Sequence, residues 1–204
     1  KYGITLDQTT ATSYLNSSTT EIYDADGTLD SYDNNIIGIG QDNGSELNQK
    51  ISKSVNSGSI LILANDQDFT SANQDVGRTS LGDGNFALTG HNGAGISFSS
   101  TYNGNANNRM DRIWAFDTTG APGSVYVAIP NTVSFSGVPS VVISADTTFD
   151  SSDTIVTLTD DGTYYWAVLT PGDGAFMSFV DVGRNTPPTH SNPILTSELG
   201  TDTT

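Results

Sequence analysis

The chain has 204 residues, with 7 basic and 23 acidic side chains and a formal net charge of −16. Nucleic acids and anionic membrane surfaces are bound by clustered Lys and Arg, so we expect neither as a partner. Cysteine is absent, which excludes thiol catalysis and cysteine-based zinc sites, and no apolar run reaches the ~18 residues expected of a membrane-inserted helix.

The first half of the chain predicts short β-strands separated by Gly-containing turns. Hydrophobic residues make up 35% of the sequence and charged residues 15%, so Ser, Thr, Asn, Gln and Gly must cover much of the surface. This composition favours strands and turns over helices. The one weak helical pattern covers residues 7–16. The predicted strands are residues 2–6, 21–24, 35–40, 49–55, 59–64, 85–89 and 96–100.

An acidic segment follows the second predicted strand. Asp24, Asp26 and Asp30 suggest a calcium loop, but an EF-hand needs Gly at its sixth position and Glu at its twelfth. Here Gly27 is fourth and Asn35 is twelfth, so the EF-hand pattern fails. Two interpretations remain open: a calcium site of another kind formed by Asp24, Asp26 and Asp30, and a hairpin turn in which Asp and Gly shape the backbone.

The segment 109–130 predicts two β-strands joined by a Gly/Pro turn at 119–123. Apolar residues alternate with polar or small ones after the turn, with a period of two, and large apolar residues precede it. Such a pair has an apolar face that needs a second layer to pack against. The residues expected in the core are Trp114, either Ile113 or Phe116, and Val125, Val127 and Ile129.

Residues 136–183 predict a meander that closes the same sandwich, with a hairpin at 160–162. Its strands are expected at 140–145, 154–159, 163–169 and 175–181. One β domain would therefore cover residues 1–183, because some 40 residues make a poor independent core. Residues 184–204 are polar and contain proline, which is typical of a linker or extended tail, although 193–196 could pair as a strand.

Three consecutive aromatic residues form the candidate ligand site. Tyr164 and Trp166 should share one strand face and Tyr165 the other. An exposed face of this kind could stack against sugar rings, whereas the alternative interpretation is that these residues are core. Catalysis is not expected: His91 lies in a turn and His190 in the tail, and the chain has no GxSxG motif.

Three segments resemble a module of very large secreted surface proteins of marine and Bacteroidetes-like bacteria. They are KYGITL at 1–6, IIGIGQDNGSELNQKISKSVN at 36–56 and RIWAFDTTGAPGSVYVAIP at 112–130. The module's function is unknown, and it typically follows a concanavalin- or laminin-G-like domain. The resemblance implies an extracellular, multidomain, adhesin-like context and supplies no catalytic residues. Two differences are Gln41, where Arg is usual, and an acidic, shortened 24–34 segment without the usual Trp.

The sequence thus predicts an all-β protein, an antiparallel β-sandwich of jelly-roll character with an extended C-terminal tail. The expected function is a non-catalytic structural or adhesive module of a secreted bacterial surface protein or extracellular fibre. The alternative is a carbohydrate-binding module that uses exposed aromatics, with or without calcium. The expected partners are neighbouring domains of a longer chain or neighbouring subunits of a fibre, and glycans under the alternative.

Overall fold

The structure is a computed structural model that describes residues 13–24, 30–53, 60–73 and 77–183. Within these ranges the regular structure is strand, apart from one 3₁₀ helix at Asp30–Tyr32. This confirms the all-β prediction. The predicted strand 2–6 and the tail 184–204 lie outside the described residues. In the described ranges no helix has the length and apolarity needed to cross a membrane.

Sixteen strands are described, most of them short. They are β1 (Ser13–Leu15), β2 (Glu21–Asp24), β3 (Asn34–Asp42), β4 (Leu47–Gln49), β5 (Ile51–Lys53), β6 (Ile62–Ala64), β7 (Phe86–His91), β8 (Ser100–Tyr102), β9 (Asn105–Arg109), β10 (Trp114–Thr119), β11 (Val125–Pro130), β12 (Val138–Ser144), β13 (Thr154–Thr157), β14 (Thr159–Asp160), β15 (Tyr164–Leu169) and β16 (Phe176–Val182).

The strands form two large antiparallel sheets and one small hairpin. The larger sheet has nine described strands: seven follow the order β13-β12-β16-β10-β7-β3-β4, and the β8–β9 hairpin joins β16 through β9. The smaller sheet has the order β14-β15-β11-β6-β5. Strands β1 and β2 pair with each other as a separate hairpin. Consecutive strands pass repeatedly from one large sheet to the other, as in a jelly-roll-like sandwich.

The main core lies between the two large sheets, where the inward faces of β10 and β11 meet. Trp114, Phe116, Val125, Val127 and Ile129 are buried in it, which confirms the core prediction, whereas Ile113 is buried in a separate cluster. The predicted pairing of the two strands is wrong, because β10 pairs with β7 and β16 while β11 pairs with β6 and β15. Residues 120–124 therefore cross from one sheet to the other. The shared core cluster includes Trp114, Phe116, Phe179, Leu63, Val125, Val127 and Ile129.

Two glycines explain the IIGIGQD motif of β3. Ile37 and Ile39 point into the main core. Gly38 and Gly40 face the opposite side, where Leu88 and Phe86 of β7 lie directly over them. A Cβ on Gly40 would stand 2.2 Å from Cδ1 of Phe86, well inside van der Waals contact. The alternation of Ile and Gly therefore lets β3 fill the core on one face and accept neighbouring side chains on the other.

Residues 136–183 are divided between both large sheets and do not form the predicted meander. Strands β12, β13 and β16 belong to the larger sheet, whereas β14 and β15 belong to the smaller one. The predicted strand 154–159 breaks at Leu158, which is buried in the main core and donates its N–H to the carbonyl of Pro139. The hairpin at 160–162 is present, but β14, not β13, is its first strand.

Other boundaries differ from the sequence prediction for local reasons. The predicted strand 49–55 changes sheets after β4, where the N–H groups of Lys50 and Ile51 both bond to the Asn73 side chain. Residues 96–99 are not strand, and β8 begins at Ser100. Within the candidate helical segment 7–16, the described residues 13–15 are strand β1. Strand β9 was not predicted, because its sequence NANNR has no apolar alternation.

Candidate functional site

The outer face of the smaller sheet carries a group of aromatic side chains, here called the aromatic face. It consists of Tyr126 on β11 and Tyr164 and Trp166 on β15, packed around Phe69. The ring centroid of Phe69 lies 5.6 Å from that of Tyr164 and 6.3 Å from that of Trp166. The Tyr126 and Trp166 centroids are 6.0 Å apart. Phe69 is buried, whereas the three strand residues are half-buried and present ring surface to solvent.

Tyr165 does not belong to this face. Successive side chains of a strand point to opposite sides. Tyr165 accordingly packs against the main core, with its ring 5.2 Å from that of Phe135. The structure therefore brings Tyr164 and Trp166 together and separates Tyr165 from them. The third aromatic residue of this face is Tyr126, which the predicted site did not include. Tyr126 and Ala128 share one face of β11, and because Ala128 pairs with Trp166, the Tyr126 ring lies next to Trp166.

A cavity of about 440 Å³ lies in the loop that carries Phe69. Arg78 lines it: its Nη1 donates to Asp66 Oδ1 at 2.7 Å and its Nη2 donates to the carbonyl of Asp68. The Nε of Arg78 is buried and has no hydrogen-bond partner in the described part of the chain. Hydrogen bonds from Ser71 and Thr70 hold the pKa of Asp68 well below its usual range. The cavity thus offers the ionised carboxylate of Asp68, a group that accepts hydrogen bonds from the hydroxyl groups of a ligand, whereas the guanidinium of Arg78 is buried.

Of the three aspartates predicted to bind calcium, the structure describes the side chain of Asp24 alone. Asp24 ends β2, and its N–H donates to Asp117 Oδ2 at 2.8 Å. Asp26 and the side chain of Asp30 lie outside the described residues. No three His, Cys, Asp or Glu side chains are arranged to hold a metal ion among those described. Calcium at Asp24, Asp26 and Asp30 stays a prediction.

Asp24 also borders a second, acidic groove of about 270 Å³, with Asp117 on β10, Asp173 in the turn before β16, and Glu21. Burial, together with the charges of Asp173 and Glu21, raises the pKa of Asp117 to about 6. This groove was not predicted. Asp117 and Asp173 are far apart in the sequence, and each looks ordinary in its own segment.

Most aspartates hold loop backbone in place. Twelve of the fifteen whose side chains are described accept a backbone N–H, which leaves few of these carboxylates without a structural role. Asp181 accepts N–H groups from Ser136 and Gly137 at 2.7 and 2.6 Å. The twelve are Asp42, Asp66, Asp68, Asp83, Asp117, Asp146, Asp150, Asp153, Asp160, Asp161, Asp173 and Asp181.

His91 is a buried residue with both ring nitrogens engaged. Its Nδ1 accepts the N–H of Gly93 at 2.9 Å, and its Nε2 lies 2.9 Å from the amide of Asn35. Burial, and secondarily the charge of Arg112, lowers the pKa of His91 to about 4. A neutral imidazole is therefore built into the fold. Since the unfolded side chain titrates near ~6.5, the resulting stability is complete above that pH and is lost as the pH falls towards 4.

The chain matches one family over residues 1–175, described as "Domain of unknown function (DUF8202)". It belongs to the DUF8202 family. No curated protein and no solved structure matches it. The match stops just before β16, yet β16 lies between β12 and β10 in the larger sheet of this DUF8202 domain. The folded unit therefore extends past the matched residues to at least Val182.

Proposed function

We propose that this DUF8202 domain is a non-catalytic structural or adhesive module of a secreted bacterial surface protein or extracellular fibre. The observation that carries the proposal is that most described aspartates accept hydrogen bonds from the backbone. Carboxylates are the commonest chemical groups in this chain for acid–base or metal chemistry, and twelve of those described accept a backbone N–H, ten of them from a loop. Loops held by such side-chain hydrogen bonds suit a rigid spacer between neighbouring domains.

Mechanical unfolding tests this proposal. A load-bearing sandwich should resist force and then open in one cooperative step. Pulling on positions 13 and 183 between two reference domains should release roughly 560–620 Å of chain at once. Replacing Asp181 with Ala should lower the unfolding force, since the N–H groups of Ser136 and Gly137 lose their acceptor. Opening in several steps at low force would contradict a structural role.

The aromatic face supports carbohydrate binding as a second candidate. Tyr126, Tyr164 and Trp166 lie half-buried on this face, and the loop that carries Phe69 adds the carboxylates of Asp66 and Asp68 beside the cavity. Aromatic rings stack on the apolar faces of sugars, and polar side chains pair with their hydroxyl groups. This site would make the module adhesive towards glycans.

Binding to immobilised neutral and anionic polysaccharides tests the second candidate. Trp166→Ala should abolish retention because it removes the central ring. Val168→Ala is the matched control, since Val168 is 39% exposed on the same strand and face but carries no ring. Equal retention of the two variants on every polysaccharide that binds the parent chain would exclude the aromatic face as the site, and no retention of the parent chain would count against glycan binding.

A further inference from the structure

Strand β13 is an end strand of the larger sheet and is paired on one side only. Its residues Thr154–Thr157 pair with residues 140–143 of β12, and the register shows no bulge. All four side chains of β13 are β-branched, and the strand contains neither a charged residue nor a proline. It is therefore a regular, uncharged edge whose second side has no neighbouring strand among those described.

The outward backbone groups of β13 belong to Ile155 and Thr157. Leu158, which follows the strand, donates its N–H to the carbonyl of Pro139 at 2.9 Å. Hydrogen-bonded and non-hydrogen-bonded pairs alternate along an antiparallel ladder, so Ile155 and Thr157 direct their N–H and C=O groups away from β12. Within the described part of the chain, these outward groups have no hydrogen-bond partner. The N–H and C=O groups of both residues are thus available to another strand.

The other end strands of the two large sheets are protected. Beside β4, the side-chain amide of Asn73 donates to the carbonyl of Asn48 at 3.0 Å. Strand β5 ends in Lys53, whose ammonium group donates to the carbonyl of Phe69. Strand β14 has two residues, one of them Asp160. Very short strands, charged residues and covering loops are usual means by which proteins prevent pairing at a sheet edge, and β13 shows none of them in the described part of the chain.

Side chains on both faces of β13 would be covered by an added strand. Val156 packs against the main core. Ile155 points to the outer face, where it pairs with the buried Val142 of β12, yet Ile155 itself is 42% exposed. A strand added to this edge would continue the larger sheet past β13 and would shield Ile155 from water, which is favourable for an apolar side chain.

We propose that the β13 edge is an interface between two copies of this chain, in which their β13 strands pair antiparallel about a two-fold axis at Val156. An added strand must be uncharged at its centre and must have free backbone groups of its own, and β13 of a second copy meets both requirements. Ile155 of each copy then lies opposite Thr157 of the other, which forms four main-chain hydrogen bonds. Because the same surface serves on both copies, the assembly closes as a dimer.

Charge determines the conditions for this pairing. The two-fold register places the flanking Asp153 opposite Thr159 of the second copy, so the paired strands set no carboxylate against another. Each chain carries a net charge of −16, however, and two copies repel each other at longer range unless salt screens that repulsion. A contact of four main-chain bonds also belongs to the small, weak class of interfaces. Dimerisation should therefore increase with protein concentration and with ionic strength, and it does not depend on the proposed load-bearing role.

Sedimentation equilibrium of the full chain tests the interface. The mean mass should rise from 21.4 kDa towards twice that value as the protein concentration increases, and salt should favour the rise. Ile155→Lys should lower the association constant roughly 10-fold, because the symmetric contact loses two Ile–Thr pairs. Val168→Lys is the matched control, since Val168 is 39% exposed on β15 and receives the same change in charge. A parent chain that stays at 21.4 kDa, or equal association of the two variants, would overturn the proposal.

Disulfide trapping tests the register of the pair, since the chain contains no cysteine of its own. Val156→Cys would face its counterpart across the axis at a Cα–Cα distance of about 4.5 Å, within the range of a disulfide. Thr154→Cys, the control on the same strand face, would stand roughly 14 Å from its counterpart. Mild oxidation should therefore link Val156→Cys chains in pairs and leave Thr154→Cys chains single. No linkage of Val156→Cys, or equal linkage of both variants, would overturn the two-fold pairing.

Discussion

The rings of Trp114 and Phe179 meet edge to face at the centre of the sandwich, with centroids 5.4 Å apart. Trp114 lies on β10 and Phe179 on the neighbouring β16, and both face the strands of the smaller sheet. Trp114→Ala should lower the free energy of unfolding by about 3–5 kcal/mol, because it leaves a cavity in the main core. Chemical denaturation measures this loss. Trp114→Phe should cost clearly less, and equal costs would contradict a packing role for the indole.

Gly40 should be intolerant of a side chain because Phe86 occupies the space over it. A Cβ at this position would overlap the ring of Phe86. Gly40→Val should therefore destabilise the fold by about 1–3 kcal/mol, the usual cost of overpacking. Gly77→Ala is the control, since no atom of the described residues lies within 4 Å of the Cβ it would add. Similar melting temperatures for the two variants would contradict the packing of β7 over β3.

Calcium at Asp24, Asp26 and Asp30 predicts a chelation effect. An ion that binds only the folded state stabilises it by mass action, so addition of a chelator should lower the melting temperature. Asp26→Asn should abolish the difference between calcium-loaded and chelated protein. Identical melting curves of the parent chain under the two conditions would contradict calcium binding and leave the interpretation that the segment is a turn.

Assembly through the C-terminal segment is a separate prediction. Edge strands carry unpaired backbone groups, and residues 193–197 of the sequence could add to such an edge on a neighbouring copy. A head-to-tail contact that does not close would generate a fibre. Light scattering at high concentration should then show large species that disappear on deletion of residues 185–204. A parent chain that stays monomeric would leave a linker role for this segment.

Sequence periodicity identified the buried faces better than the strand partners. The alternation of Val125, Val127 and Ile129 shows which side of β11 is apolar, and the structure buries that side. Periodicity does not state which sheet a strand joins, so β10 and β11 were wrongly paired. The same limit applies at Leu158, where one apparent strand divides between two sheets. Strand pairing is decided by contacts between distant segments, which a local pattern does not contain.

The candidate sites were predictable to different degrees. The opposite directions of Tyr165 and Trp166 follow from strand geometry, and the structure has them so. The contact of Phe69 with the aromatic residues of β15 was not predictable, because the two segments are distant in the sequence and meet only in the folded chain. The acidic groove was missed for the same reason, since Asp117 and Asp173 become neighbours only when the turn before β16 bonds to β10.

Hydrogen bonds from loop backbone to aspartate carboxylates hold the loops of this acidic chain in place. Titration of the aspartate carboxyl carbons by NMR measures the effect of these bonds on each carboxylate. Hydrogen bonds from Ser17 lower the pKa of Asp42 to about 2, and bonds within their own loops lower the pKa values of Asp146 and Asp150. Since these folded pKa values lie below the unfolded one, their stabilisation should be lost as the pH falls below about 4.

The pKa values of Asp42, Asp68, Asp146 and Asp150 should lie below the ordinary aspartate value of about 3.9, and the pKa of Asp117 should lie near 6. Ordinary values for the loop aspartates would show that their carboxylates are free in solution and would contradict the structural role proposed for them.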